Sequence, residues 1–310
     1  MEIKENLFCS LVFFLNILYS NGYRKREQAT QNKKKSNKDK EKNMKFIHIA
    51  DVHFDMPFTT LEGRKLSENR RLEQRNAFKK VIEYIKENNI PYLFICGDLY
   101  EHEYVKKSTI EYINKLFETI PDTKIYIIPG NHDPYIKNSY YARFNWASNV
   151  KIFKEEVEKI ENNNICIYGY GFENFYMKKS EEKQIQIEDK NKINILLTHG
   201  TLDGEKSGEI LYNPISKAEI NKLGFDYIGL GHIHKISYKD EPNQNIVYPG
   251  SLISLGFDEL GNHRNDLWRN RWKYKKIKIR IYSSRWQRIC RKRNRHKRDF
   301  INRRTIRKNK

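Results

Sequence analysis

Between positions 45 and 255, short apolar runs alternate with longer segments in which apolar residues return every three or four positions. Residues 46–50 form an apolar run ending at Asp51, a predicted strand. Residues 68–88 follow with Leu72, Phe78, Val81, Ile82 and Ile85 at helical spacing, which predicts a helix burying that stripe. Residues 91–96 predict a second, fully apolar strand that ends at Gly97-Asp98. Ser108 is placed to cap a second helix whose inner face is Ile110, Ile113, Leu116, Phe117 and Ile120. Residues 124–128 predict a third strand, running into Pro129-Gly130-Asn131-His132-Asp133. Strand–helix–strand spacing of this kind implies right-handed crossovers and a parallel sheet.

The second half is richer in strands. Runs at 150–153, 165–168, 193–198, 227–230, 246–248 and 252–255 are candidates, and Pro214 suits the first turn of a helix over 214–223. Two stacked sheets covered by helices follow as the expected α/β architecture. Residues 174–191 are charged and aperiodic, as a surface loop would be. Outside this region the pattern fails. Residues 7–19 are apolar but interrupted by Ser10 and Asn16, too short for a comfortable membrane span and similar to the apolar core of a signal peptide. Residues 24–42 are basic and aperiodic, which predicts disorder. Met44 stands directly before the first strand, so residues 1–43 are expected to be an extension outside a domain spanning 44–261.

Charge changes the picture once it is divided. The chain carries a formal +20, but residues 262–310 hold 21 Lys/Arg against two acids and contribute +19, and residues 1–43 contribute +5. The central region is therefore mildly acidic at −4, as a site that holds cations can be. Cys9, Cys96, Cys166 and Cys290 are widely spaced without a CxxC pair, which excludes a disulfide framework and suits a reducing, cytoplasmic setting. Secretion or anchoring through residues 1–20 is the alternative.

The chemistry lies at the ends of the predicted strands. Asp51-Val52-His53, Gly97-Asp98, Gly130-Asn131-His132-Asp133, His199-Gly200 and Gly231-His232-Ile233-His234 occur in order, beside glycines that let a loop turn tightly. Each alone is an ordinary turn or a hydrogen-bonded core histidine. Together they supply the donors for two divalent cations about 3.5–4 Å apart, with a carboxylate able to bridge and a shared hydroxide as nucleophile. Mixed N and O donors favour Mn²⁺, Fe²⁺ or Zn²⁺ over Mg²⁺ or Ca²⁺. His232 and His234 share one face if their segment is extended. His48 is out of phase with Asp51 and is expected to pack or meet solvent; His102 is close enough to Asp98 to touch substrate, with a surface role equally open.

On these motifs, together with Ile47-His48-Ile49-Ala50 at the start and Tyr248-Pro249-Gly250-Ser251 near the end, the chain resembles the calcineurin-like metallophosphoesterases, in their SbcD/YhaO-like DNA-repair exonuclease branch. The resemblance covers residues 44–261. It implies a four-layer α/β/β/α sandwich with two metals at the sheet edges. It assigns Asp51, His53, Asp98 and His234 to one ion, and Asn131, His199 and His232 with the bridging Asp98 to the other. It makes His132 the group that meets the scissile phosphate and protonates the leaving oxygen, with Asp133 orienting His132. It further implies Mn²⁺ dependence, a DNA substrate and an ATPase partner of the SbcC type; a homodimer is left open and no membrane is involved. Those nucleases often carry histidine three residues after the bridging Asp, where this chain has Glu101, with His102 next.

The family usually continues into closing strands and a DNA-facing cap, whereas residues 262–310 hold Trp268, Trp272 and Trp286 among dense Arg and Lys. This tail reads as a nucleic-acid-binding arm, as a functionless extension, or as a frame-shifted translation of the cap; the abrupt break in composition favours the last. The expected function is a two-metal DNA exonuclease or endonuclease. A phosphatase or phosphodiesterase for nucleotides or other small phosphoesters is the alternative enzyme, and a non-catalytic nucleic-acid-binding protein the alternative of another class.

Overall fold

The computed structural model describes residues 12–17, 44–58, 64–162, 164–177, 185–203, 212–237, 245–255 and 278–282. Two sheets organise it. In the first, β2 (Met44–Ile49), β3 (Tyr92–Cys96), β4 (Lys124–Ile128) and β5 (Val150–Ile152) lie side by side and parallel. Two further strands, β1 (Val12–Ile17) and β13 (Lys278–Tyr282), add on antiparallel beside β2. The rest of the terminal segments discussed above lies outside the described residues.

The second sheet has the order β12 (Ile246–Val247), β11 (Tyr227–Gly231), β8 (Ile193–His199), β7 (Ile165–Gly169) and β6 (Glu158–Asn162). All its pairs are parallel except β6 with β7. Strand β6 has no apolar alternation, which is why the sequence pattern passes over it. Its charged residues suit an edge, where they discourage pairing with another chain. A small parallel pair, β9 (Thr201–Leu202) with β10 (Pro214–Ile215), follows β8.

Period-two alternation sorts the side chains into three apolar layers. Ile47, Ile49, Leu93, Ile95, Ile125 and Ile127 face outward from the first sheet onto helices α1 (Arg64–Asn88) and α2 (Lys107–Glu118). The single turn α3 (Tyr140–Arg143), after the loop that follows β4, adds Tyr141 to this layer. Phe46, Phe94, Cys96, Tyr126 and Ile128 face the other way, onto Ile195, Leu197, Tyr227 and Val247 of the second sheet. The outer face of the second sheet (Cys166, Tyr168, Leu196, Ile228, Leu230) packs with Ile220 of α4 (Lys217–Lys222). Helix, sheet, sheet, helix is the four-layer α/β/β/α sandwich that the family resemblance implied. The outer layer of the first half is held by aromatic contacts such as Phe78 with Phe54 and Phe117, 5.1 and 6.0 Å between centroids. Truncating Phe78 to alanine would cost about 3–5 kcal/mol.

Several local expectations are corrected. Leu72 is 57% exposed. The buried stripe of α1 runs through Gln74, Ala77, Phe78, Val81, Ile82 and Ile85, and Leu72 lies about a third of a turn off it. Ser108 does not cap α2: the N-cap is Lys106, and Asp55 from the loop after β2 accepts its N–H at 3.1 Å and the Thr109 hydroxyl at 2.6 Å. Pro214 belongs to β10, and the following helix starts later, capped by Ser216 through Glu219 N. Residues 252–255 form no strand; Leu252 instead tucks into the first core layer.

Candidate metal centre

Every parallel strand that carries a motif delivers it at its C-terminal end, so β2, β3, β4, β8 and β11 bring theirs to one edge of the sandwich. Loop backbones there are strained and interlocked. Asp51, His53, Asp98 and His232 all have positive φ (52°, 53°, 53° and 100°), which L-residues adopt only at a cost. Backbone bonds hold the strain in place: Asp51 N to Gly97 O, His53 N to Asp98 O, Phe54 N to Leu99 O and Glu101 N to Phe54 O, at 2.8–3.1 Å. From α1, the Gln74 amide donates to the carbonyls of both Val52 and His53, at 2.6 and 2.7 Å. Close packing behind the site leaves no room for side chains: a Cβ on Gly231 would fall 1.7 Å from Cys96 O, and one on Gly97 2.0 Å from Nδ1 of the His199 ring.

The seven side chains that the family resemblance assigns to metals converge. Asp51, His53 and His234 present one ligand atom each within 4.8 Å of one another, and so do Asp98, His199 and His232. Asn131 Oδ1 lies 3.1 Å from His199 Nε2 and 3.2 Å from His232 Nδ1. Asp98 Oδ2 stands between the two groups, 3.6 Å from His53 Nε2 and 3.3 Å from His199 Nε2.

The chemistry of these donors fits divalent cations. His199 Nδ1 donates to Cys96 O at 2.9 Å and His53 Nδ1 pairs with Glu101 Oε1 at 2.7 Å, which leaves both Nε2 lone pairs facing the shared space. His53 Nε2 faces His234 Nε2 at 3.1 Å, an approach of two nitrogen lone pairs that a proton or a cation must separate. Asp51 Oδ1 accepts from His232 N, while its Oδ2 is buried without a protein partner. A buried carboxylate oxygen left bare costs a good deal of free energy unless a cation meets it.

Electrostatics agree. Burial alone would raise Asp98, but the charge and hydrogen bond of His199 outweigh it and hold this carboxyl well below its usual range. Burial would lower His199, and Asp98 instead pushes it up to about 9. His232 goes the other way, down to about 4, through burial and the neighbouring His199. Burial raises Asp51, a shift a bound cation would reverse.

His132 is the exposed member of the cluster, its side chain 46% accessible. Its ring packs edge-on against His53 at 4.8 Å, and its backbone N–H donates to Asp98 Oδ1. Burial lowers its pKa, but the hydrogen bond to Glu101 and the charge of Asp98 prevail and raise it to about 9.

The expectation that Asp133 orients His132 is corrected. Both oxygens of this fully buried carboxylate are taken up by the N–H groups of Gly130, Asp98, Leu99 and Tyr100 and by the Tyr141 hydroxyl. Asp133 thus ties the loop after β4 to the loop after β3. Glu101 holds the imidazole instead: its Oε2 meets His132 Nδ1 at 2.9 Å while its Oε1 meets His53. Burial would raise the Glu101 carboxyl, and these two hydrogen bonds bring it down to about 2.

Three contributors escaped the sequence reading. Glu101 stood out there only as a departure from a family pattern. Gln74 was legible as a polar residue inside the apolar stripe of α1. Asn213, whose amide donates to His199 O at 2.7 Å, gave no signal, because its partner lies on a separate strand. His102 donates its N–H to His132 O and sets its ring against Phe175. His48 is fully buried between the sheets, with Nδ1 2.8 Å from the Tyr227 hydroxyl, so packing holds and solvent contact does not.

The sequence profile described as calcineurin-like phosphoesterase matches residues 44–236, well over half the chain. The chain belongs to that family. It is therefore a metal-dependent hydrolase of phosphoester bonds. The uncharacterized metallophosphoesterase YhaO of Bacillus subtilis is 26% identical over 227 residues, covering 70% of this chain and 55% of its own length. The SbcD component of the SbcCD nuclease of Staphylococcus epidermidis is 27% identical over 256 residues, covering 71% and 64%. These relatives support placement of the phosphoesterase in the SbcD/YhaO-like branch, although it spans less than two thirds of the length of either. The solved calcineurin-like phosphoesterase YfkN of B. subtilis overlays with a TM-score of 0.35 at 12% identity, over 77% of this chain and 90% of that one, and adds nothing to the assignment. No helix among the described residues is long and apolar enough to cross a membrane.

Proposed function

We propose that this phosphoesterase is a dinuclear-metal phosphodiesterase whose substrate is DNA. The observation that carries the dinuclear reading is Asp98 Oδ2, poised between His53 Nε2 and His199 Nε2 at 3.6 and 3.3 Å. Asp51, His53, Asp98 and His234 would hold one cation, and Asp98, Asn131, His199 and His232 the other. Two divalent cations supply Lewis-acid polarisation of the phosphoryl group and a water acidic enough to attack at neutral pH, with Mn²⁺ the leading candidate and Fe²⁺ or Zn²⁺ the alternatives.

The chain's own residues do the rest. Glu101 fixes the Nδ1 edge of His132, so Nε2 of this exposed ring is the atom free to give a proton to the departing oxygen. The same carboxylate fixes His53 with its Nε2 lone pair toward the site. Asp133, Gln74 and Asn213 hold four of the five loops that carry the candidate ligands, so little reorganisation is needed during reaction.

DNA as substrate is supported by the likeness to the SbcD nuclease component, and by extension so is an ATPase partner of the SbcC type. The mild acidity of residues 44–261 favours a small phosphoester as the second reading. Mn²⁺-dependent hydrolysis of single-stranded DNA, double-stranded DNA and bis-p-nitrophenyl phosphate separates them. Cleavage of both the ester and DNA supports the proposal; cleavage of the ester alone selects the second reading. Unimpaired DNA binding without hydrolysis of anything, in wild type and Asp98→Ala alike, would leave only a nucleic-acid-binding protein.

A further inference from the structure

A row of aromatic rings leads outward from the candidate ligand His232. The Tyr212 ring packs 5.4 Å from the His232 ring, and Tyr176 stacks on Tyr212 at 5.8 Å with only 17° between their planes. His232 and Tyr212 are half-buried; Tyr176 is 55% exposed. We infer that Tyr176 and Tyr212 form a platform on which a nucleobase of the substrate stacks while its phosphate sits at the metal centre. The inference rests on the phosphodiesterase reading and names the class of substrate that site selects.

The platform is built into the frame of the site. Segment 170–177 is pinned at one end by Phe172 N to Pro129 O (3.0 Å) and Tyr135 N to Phe172 O (2.6 Å), and at the other by Asn213 N to Met177 O (2.7 Å). Asn213, next to Tyr212, is itself bonded to the Thr198 hydroxyl and the His199 carbonyl. Both tyrosines therefore ride on backbone fastened to the loops that carry Asn131 and His199. Phe172 and Phe175 of the same segment turn onto His199 and His102 (5.7 Å each), so Tyr176 is the ring this segment leaves open to solvent.

Tyr176 is among the exposed large apolar side chains of the described residues, and the Tyr212 ring links it to the candidate ligand His232. A nucleoside phosphodiester has the matching shape, with an anionic phosphate and, one sugar away, a flat ring. Stacking uses the π-face common to all bases, so the platform would favour nucleosides over alkyl groups without choosing among bases.

The test compares two Mn²⁺-dependent reactions with the same chromophoric leaving group: hydrolysis of thymidine 5′-(p-nitrophenyl phosphate) and of methyl p-nitrophenyl phosphate. The wild type should prefer the thymidine ester. Tyr176→Ala should lower the ratio of the two kcat/KM values by roughly 5- to 150-fold, mostly through KM for the thymidine ester. Tyr176→Phe and Tyr176→Trp should preserve the ratio, and Leu72→Ala on the far face of α1 should leave it unchanged. A ratio unmoved by Tyr176→Ala, or lost equally in Tyr176→Phe, overturns the platform while the phosphodiesterase reading stands. If the wild type hydrolyses neither ester, that reading fails and takes the platform with it.

Discussion

His48 and His199 are equally buried, with no exposed surface, yet burial alone pushes His48 down to about 3 while Asp98 holds His199 up at about 9. One lies in the interior between the sheets, the other at the edge where the strands end. In the interior, His48 meets a Tyr227 hydroxyl and aromatic faces, and nothing there rewards a positive charge. At the edge, Asp51 and Asp98 stand within reach of five imidazoles, those of His53, His132, His199, His232 and His234. The same residue type at the same burial is thus shifted in opposite directions, and charge partners, rather than exposure, distinguish the two regions. An edge that gathers buried carboxylates and keeps imidazole lone pairs aimed inward is suited to cations. An interior that neutralises its histidine is suited to packing.

The contrast predicts effects of falling size. Replacing Asp98 with alanine removes the carboxylate shared by both donor groups. Turnover should fall to background and bound metal should drop, measured by hydrolysis and by elemental analysis of the same sample; retained metal at full stoichiometry would contradict a shared ligand. His132→Ala should keep the metal and lose about 10²–10⁴-fold in kcat, the range expected for a positioned acid, and loss of metal in this variant would move His132 into the ligand set. Glu101→Gln is expected to cost about 10–100-fold in activity or metal affinity. An amide can accept from one imidazole but must donate to the other, so either His53 or His132 changes tautomer.

The interior gives the smallest effect and the opposite signature. His48 has a folded pKa below its unfolded value near 6.5, so between about 6.5 and 3 the unfolded chain binds the extra proton. Stability is therefore complete above about pH 6.5 and is lost as the pH falls towards 3. Between pH 7 and 5 the wild type should lose about 2 kcal/mol through His48. Urea unfolding of His48→Gln at the two pH values should lack that share of the loss, with catalysis at neutral pH little changed. An equal pH dependence in the two proteins would mean that the interior histidine does not differ from the edge in the way described.

Much of this contrast was legible along the chain. Apolar runs ending in Asp, Asn or His next to glycine placed the candidate ligands at strand ends, because an α/β fold brings parallel strands to one edge. Strand 124–128 was read to the residue, since its apolar run is closed by Pro129-Gly130. Strand β6 was not, because a charged edge strand owes its pairing to β7 rather than to its own pattern. Leu72 and Ser108 misled for a related reason. An apolar residue and a capping residue are ambiguous until a neighbouring element takes the buried face or, as Asp55 does for α2, supplies the cap from outside.

The layered α/β class and the Asp, Asn and His motifs at strand ends were readable from the chain alone, because periodicity and residue chemistry are local properties; the division into seven candidate ligands and His132 came from the family resemblance. Tertiary structure decided who holds whom. It gave the orientation of His132 to Glu101 and not Asp133, set Gln74 against the strained Asp51–His53 loop, and stacked Tyr176 on Tyr212 beside His232. Those pairings join residues tens of positions apart, and only the packing of separate strand ends, loops and helix α1 brings them into contact.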